Sequence, residues 1–151
     1  MTTTTFTGPI TAGSILETSG STVGTNVANV GTAILGQIDV TVVQSATAAT
    51  TNIVIPAGST IVGITLFVTT AWDGGASTLS IGTSSTSTEL ATAVAGGTLG
   101  TVVVGAGADA TRTEKWINVG TSDVQIYVKS ANNGGGEGAL SVQYIQGPNS
   151  V

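Results

Sequence analysis

The segment of this chain most suggestive of chemistry is Gly105-Ala106-Gly107-Ala108-Asp109-Ala110. It fits the G-x-G-x-x-G/A pattern of dinucleotide-binding loops and follows a strand-like run ending at Val104. That pattern binds a pyrophosphate only when the loop opens a helix whose N-terminus meets the negative charge, within a β-α-β unit. Here Thr111-Arg112-Thr113-Glu114-Lys115-Trp116 is followed by two further strand signals, one of them Trp116 to Val119. With no β-α-β unit expected, the segment reads as a connecting loop. The eight carboxylates are the next source of chemistry, since two acids flanking a bond hydrolyse glycosides without histidine. Most of them lie at predicted turns or loop edges, and Asp39 and Asp123 fall on the polar faces of strands. None shows the clustered D-x-D-x-D spacing of a calcium loop.

The other common catalytic groups are missing. The chain has no cysteine and no histidine, which removes thiolate chemistry, cysteine-ligated metals, and the commonest general base and metal ligand. A nucleophilic Ser or Thr needs an activating base, and Lys115 and Lys129 have no supporting motif. Trp72, Trp116, Tyr127 and Tyr144 have the chemistry of a sugar-stacking platform, but aromatics in strands more often anchor a core or an interface. The expectation is a protein that is not an enzyme, with no cofactor and no metal.

Composition points the same way. The 151 residues make one ordinary domain, long enough to bury a core. Only 7% of them are charged, with a net charge of −5, and the sole basic residues are Arg112, Lys115 and Lys129. That is too little for a phosphate track, so nucleic acid is excluded as a partner, and basic recruitment to a membrane fails equally. The mean hydropathy of +0.42 comes from Ala, Val, Ile and Gly scattered among Thr and Ser. The most apolar stretch, Ile61 to Val68, is too short to span a bilayer, and no signal peptide is evident. A surface so poor in charge suits a chain that packs against neighbours.

Two regions of different texture must carry whatever function there is. Residues 1–32 are punctuated by Gly8-Pro9, Gly13, Gly20, Gly24 and Gly31 and show no sustained period. They nevertheless carry Phe6, Ile10, Ile15, Leu16, Val23, Val27 and Val30. The reading is an extended N-terminal arm ordered by a partner, with Phe6, Ile10, Ile15, Leu16, Val23 and Val27 as candidate interface residues. Residues 33–151 alternate with period 2 and form the expected β domain. Ile38, Val40 and Val42 share a face, as do Ile53 and Ile55 before the Pro56-Ala57-Gly58 turn. Ile64, Leu66, Val68 and Trp72 form a long apolar face, with Phe67 opposite. Asp73-Gly74 signals a hairpin to a strand holding Leu79 and Ile81. Leu99 to Val104 follows, then Val124, Ile126 and Val128, then Leu140, Val142 and Tyr144. One short helix is expected where Thr86-Ser87-Thr88-Glu89 fits a capping box ahead of Leu90, Ala91, Ala93 and Val94. About eight short strands argue for an all-β fold, an antiparallel β-sandwich of jelly-roll-like topology behind an irregular N-terminal arm.

Several of these stretches, taken in order, resemble small virion structural proteins of tailed bacteriophages, marine and cyanobacterial phages above all. They are Gly8-Pro9-Ile10-Thr11-Ala12-Gly13, Thr25-Asn26-Val27-Ala28-Asn29-Val30-Gly31, Ile53-Val54-Ile55-Pro56-Ala57-Gly58-Ser59 and Val68-Thr69-Thr70-Ala71-Trp72. Leu79-Ser80-Ile81-Gly82-Thr83, Trp116-Ile117-Asn118-Val119-Gly120-Thr121 and Val142-Gln143-Tyr144-Ile145-Gln146-Gly147 complete the set. The resemblance implies a capsid decoration, or cement, protein, or a related head or tail structural component, with no catalytic residues. The reading taken from it is a decoration protein on the virion exterior whose partners are the major capsid protein and further copies of itself, in trimers or similar clusters. The alternative from another class is a carbohydrate-binding or adhesin-like β-module of a phage fibre or cell surface.

Overall fold

Alternation of apolar and polar side chains along short segments dictates strands that bury one face, and the chain obeys it. The computed structural model describes residues 34–146. The expected arm, with Phe6, Ile10, Ile15, Leu16, Val23 and Val27, lies outside them. Eight strands follow in order: β1 (Ile34–Val43), β2 (Ala49–Ile55), β3 (Thr60–Thr70), β4 (Thr78–Gly82), β5 (Ala91–Ala95), β6 (Gly100–Val104), β7 (Val124–Ser130) and β8 (Glu137–Gln146). A helix, α1 (Ala110–Ile117), sits between β6 and β7.

The strands form two four-stranded sheets, ordered β1-β8-β3-β6 and β2-β7-β4-β5, with every pairing antiparallel. Only β4 and β5 are neighbours in both sequence and sheet; every other connection passes from one sheet to the other. The inward faces meet in a single apolar cluster, so this is a β-sandwich. Ile64 and Leu66 of β3 and Leu140 and Val142 of β8 come from one sheet. Ile53 and Ile55 of β2, Ile81 of β4 and Ile126 of β7 come from the other, and all eight are completely buried. Of the expected core residues, Ile38, Val40 and Val124 are only partly covered, packing against the cluster from its margin.

Three local expectations are overturned. Asp73-Gly74 does not close a hairpin: β3 and β4 lie in different sheets, and the turn carries the chain across the end of the sandwich. Burial of Trp72 enforces this, with its backbone N–H donated to Gly96 O at 2.8 Å. The expected helix after Thr86 is instead strand β5, because Leu90 donates its N–H to Ile81 O at 3.0 Å and Leu90, Ala91 and Val94 enter the core. A helix stands where a loop and a strand over Trp116–Val119 were expected. Asp109 starts it as N-cap, its carboxylate accepting the Arg112 backbone N–H at 2.9 Å. Trp116 pins its far end by donating Nε1–H to Leu90 O at 3.0 Å.

Candidate functional site

Among the described residues, the outward face of the β1-β8-β3-β6 sheet carries most of the exposed large apolar side chains. Because Ile64 and Leu66 point inward, Thr65 and Phe67 must point out. Register then builds rows across the sheet: Thr101, Phe67, Ala139 and Thr41 in one, Val103, Thr65, Ser141 and Asp39 in the next. A third row holds Gly63, Gln143 and Gln37, where Gln143 donates to Gln37 Oε1 at 2.8 Å. The last joins Thr60, Ile145 and Leu35. Asp39 is the one charged residue in these four rows. Phe67 is 43% exposed, Leu35 69% and Val103 82%, an apolar outlay that water disfavours and a protein partner would cover. A bulge in β3 between Ile61 and Gly63 adds exposed Val62 beside this face.

One end of the sandwich is held by a polar clasp that the sequence did not flag. Gln44, just past β1, is buried, and its side-chain Oε1 accepts the backbone N–H groups of Asp73 and Gly136, both at 3.0 Å. Its Nε2 donates to Asp73 O at 2.8 Å, and its own backbone N–H reaches Gly136 O at 2.7 Å. One amide thus ties the ends of β1, β3 and the β7–β8 loop together. Beside it the Trp72 indole donates to Ser130 Oγ at 2.9 Å. Gly96 and Gly136 flank the same ring: a Cβ at either would stand 2.8 Å from its Cδ2. The glycine runs at 96–97 and 134–136 therefore contain positions where only glycine lets the backbone close over this tryptophan.

Glu89 organises the turn between β4 and β5. Its carboxylate accepts the hydroxyls of Ser84 and Thr86, the Thr83 backbone N–H at 3.0 Å and that of Thr88 at 3.1 Å. This is the chemistry of a capping box without the helix: Ser87 takes φ of 56° and turns the chain into β5 instead. Burial works against the charged carboxylate and is the largest single influence, but the bonds from Ser84, Thr86 and the backbone together outweigh it. They hold the group at about 2, below its ordinary 4.5. With the folded value depressed, the carboxylate's contribution to stability is complete above about pH 4.5 and disappears as pH falls through about 2. Glu89→Gln should lower the melting temperature by about 2–5 °C at neutral pH. Melts taken at successively lower pH should show the gap to wild type closing toward pH 2. A gap that stays constant with pH would show that the charge is not what holds the turn.

The glycine loop does precede a helix, but its geometry is not that of a nucleotide site. The strands on either side, β6 and β7, belong to different sheets, and the helix N-terminus is occupied by the Asp109 carboxylate. Arg112 Nη2 lies 3.7 Å from Asp109 Oδ2, adding its charge to the same cap. Among the described residues, no group of three or more acids is placed to hold a metal ion, and no helix is long and apolar enough to cross a membrane. The aromatics do not converge on a platform: Trp72 is buried, Trp116 and Tyr144 pack against the core, and the Tyr144 ring lies over Gly36.

Fold and surface together define an antiparallel β-sandwich with a charge-poor, apolar-bearing outer face. No family model and no curated protein matches the chain. Among solved structures it is similar to a chain of the "Cyanophage Pam1 capsid asymmetric unit", at 24% identity and a TM-score of 0.47, over 93% of this chain and 99% of that one.

Proposed function

We propose that this chain is a non-catalytic virion structural protein, and specifically a capsid decoration protein that binds and stabilises the shell of the major capsid protein. The observation that carries the reading is the outer face of the β1-β8-β3-β6 sheet. Phe67, Val103, Leu35 and Ile145 are exposed there among Thr, Ser and Gln, with Asp39 the one charge in four rows. The ordered run of segments resembling phage virion proteins supports it from the sequence side. The strand order supports the jelly-roll part: two interleaved four-stranded sheets in which every connection but one changes sheet.

The mechanism is mechanical. A rigid sandwich presents its apolar face to the capsid exterior, and the N-terminal segment reaches a neighbouring subunit. Extended, some 30 residues span up to about 100 Å. Each contact made only by the assembled shell opposes its rupture by mass action. Such a protein clusters on the lattice as a closed homo-oligomer, of which a trimer is the form proposed.

Deleting residues 1–30 tests the division of labour. The truncated chain should keep its β-type circular dichroism and its melting temperature while losing self-association and particle binding. Unfolding on truncation, or full retention of assembly, would defeat this reading of the arm.

A further inference from the structure

We propose that the open seam between β1 and β2 is a receiving groove for an extended strand, and that its occupant is the Val27–Val30 stretch from a neighbouring copy of this chain. The inference rests on reading the N-terminal segment as an attachment device and gives that segment a destination.

Among the described residues the two strands are the edges of the two sheets: β1 pairs only with β8, and β2 only with β7. Within those residues each leaves the outward half of its backbone N–H and C=O groups without a strand partner, the standard opening for strand addition. The sandwich is also unfinished on this side. Ile38 and Val142 are register partners on one inward face, as are Val40 and Leu140. Val142 and Leu140 are completely buried, whereas Ile38 and Val40 at the edge are only partly covered. Between the edges lies a cavity of about 260 Å³, lined by Val40–Val43, by Ala49–Asn52 and by Val128. No charged side chain lines it, and valines are mixed there with Thr41, Thr50, Thr51 and Asn52, so it suits an uncharged strand of mixed aliphatic and small polar side chains.

The chain preceding β1 supplies such a stretch. Thirty-three residues precede Ile34, their one charged residue is Glu17, and Thr25-Asn26-Val27-Ala28-Asn29-Val30 has neither charge nor proline. Alternation along an extended strand would turn Val27 to one side and Val30 to the other. The groove lies at the Val40–Val43 end of β1, roughly 20–30 Å along the strand from Ile34. Only Gly31, Thr32 and Ala33 separate Val30 from Ile34, and four residue steps reach at most about 14 Å. The Val30 that fills this groove therefore comes from another copy.

The chain has no cysteine, which makes thiol cross-linking clean. Two full-length single variants, Val27→Cys and Asn52→Cys, are mixed in the absence of any particle and treated with a short bis-maleimide. The expected product is a cross-linked dimer formed only in the mixture, with mass spectrometry locating the link between positions 27 and 52. A dimer linking Asn52→Cys to itself would mean that two edges pair directly, and overturns the proposal. So does an intramolecular link in a Val27→Cys/Gln37→Cys double variant, which would mean that the segment folds back on its own β1. Absence of any link in protein that self-associates overturns it as well. Because the assay contains no capsid, a positive link with no particle binding would leave this inference standing while sinking the decoration reading, and the reverse result would do the opposite.

Discussion

Ile126→Asp is expected to abolish the cooperative thermal transition, or to destabilise the protein by about 4 kcal/mol or more. Ile126 is completely buried on β7, between Ile53 and Ile55 of β2 and Ile81 of β4 in the same cluster. An aspartate there either stays charged without a partner or takes up a proton, and both are costly in an apolar interior. The neighbouring Gln125→Asp is the control. Gln125 is exposed and contributes one side-chain bond, its Nε2 donating to Thr51 O at 2.8 Å, so its replacement should cost only about 1 kcal/mol. The ratio between the two is set by which way the strand faces. A one-residue shift of register would reverse it, so equilibrium denaturation of the pair reads the face assignment directly.

Gln44→Leu should be the most destabilising change of a polar residue, at about 3 kcal/mol. Leucine fills comparable space but leaves the Asp73 and Gly136 N–H groups without their acceptor, while Asp73 O keeps only its bond from Asn132 Nδ2 at 2.8 Å. The Gly136 N–H is buried, so its lost bond is not replaced by one to water. Gln44→Glu keeps an acceptor for both N–H groups but buries a carboxylate and turns its second oxygen toward Asp73 O, so at neutral pH it should be at least as destabilised as the leucine variant. Urea denaturation of the three proteins checks the order. Equal midpoints for the leucine variant and wild type would show that the clasp contributes nothing to stability.

Much of the sandwich was legible because its strands are amphipathic in the simplest way. Ile64, Leu66, Ile126, Leu140 and Val142 alternate with polar residues, and all of them are buried. What alternation does not encode is where a strand goes next. Asp73-Gly74 has the composition of a hairpin, yet Trp72 must be buried and Gln44 holds the Asp73 backbone, so the chain crosses between sheets. Thr86 to Glu89 was legible as a set of bonds and misread as a shape: the carboxylate does collect hydroxyls and N–H groups, but pairing to β4 decides for a strand. Helix α1 was hidden because it is only eight residues long and its only large apolar side chains are Trp116 and Ile117, neither fully buried. Gln44 was invisible for a different reason. A buried glutamine is defined by three backbone groups distant in sequence, and nothing local distinguishes it from Gln37 or Gln125.

The exposed face was half legible. Phe67 was expected on the side opposite Ile64 and Leu66, and it is. That it lines up with Thr101 and Ala139, beside Val103 and Thr65, depends on pairing to β6 and β8, which spacing alone does not specify. A patch of this kind, poor in charge and rich in small side chains, favours close packing against a protein over contact with a charged polymer or a bilayer surface.

A structural component of the virion travels with the assembled particle. Quantitative mass spectrometry of density-purified particles, produced from the genome that encodes this chain, measures that. The chain should be present in a fixed ratio to the major capsid protein, through repeated purification and in particles emptied of nucleic acid. Its absence from the particles, with recovery only in the soluble fraction, would defeat the proposed role.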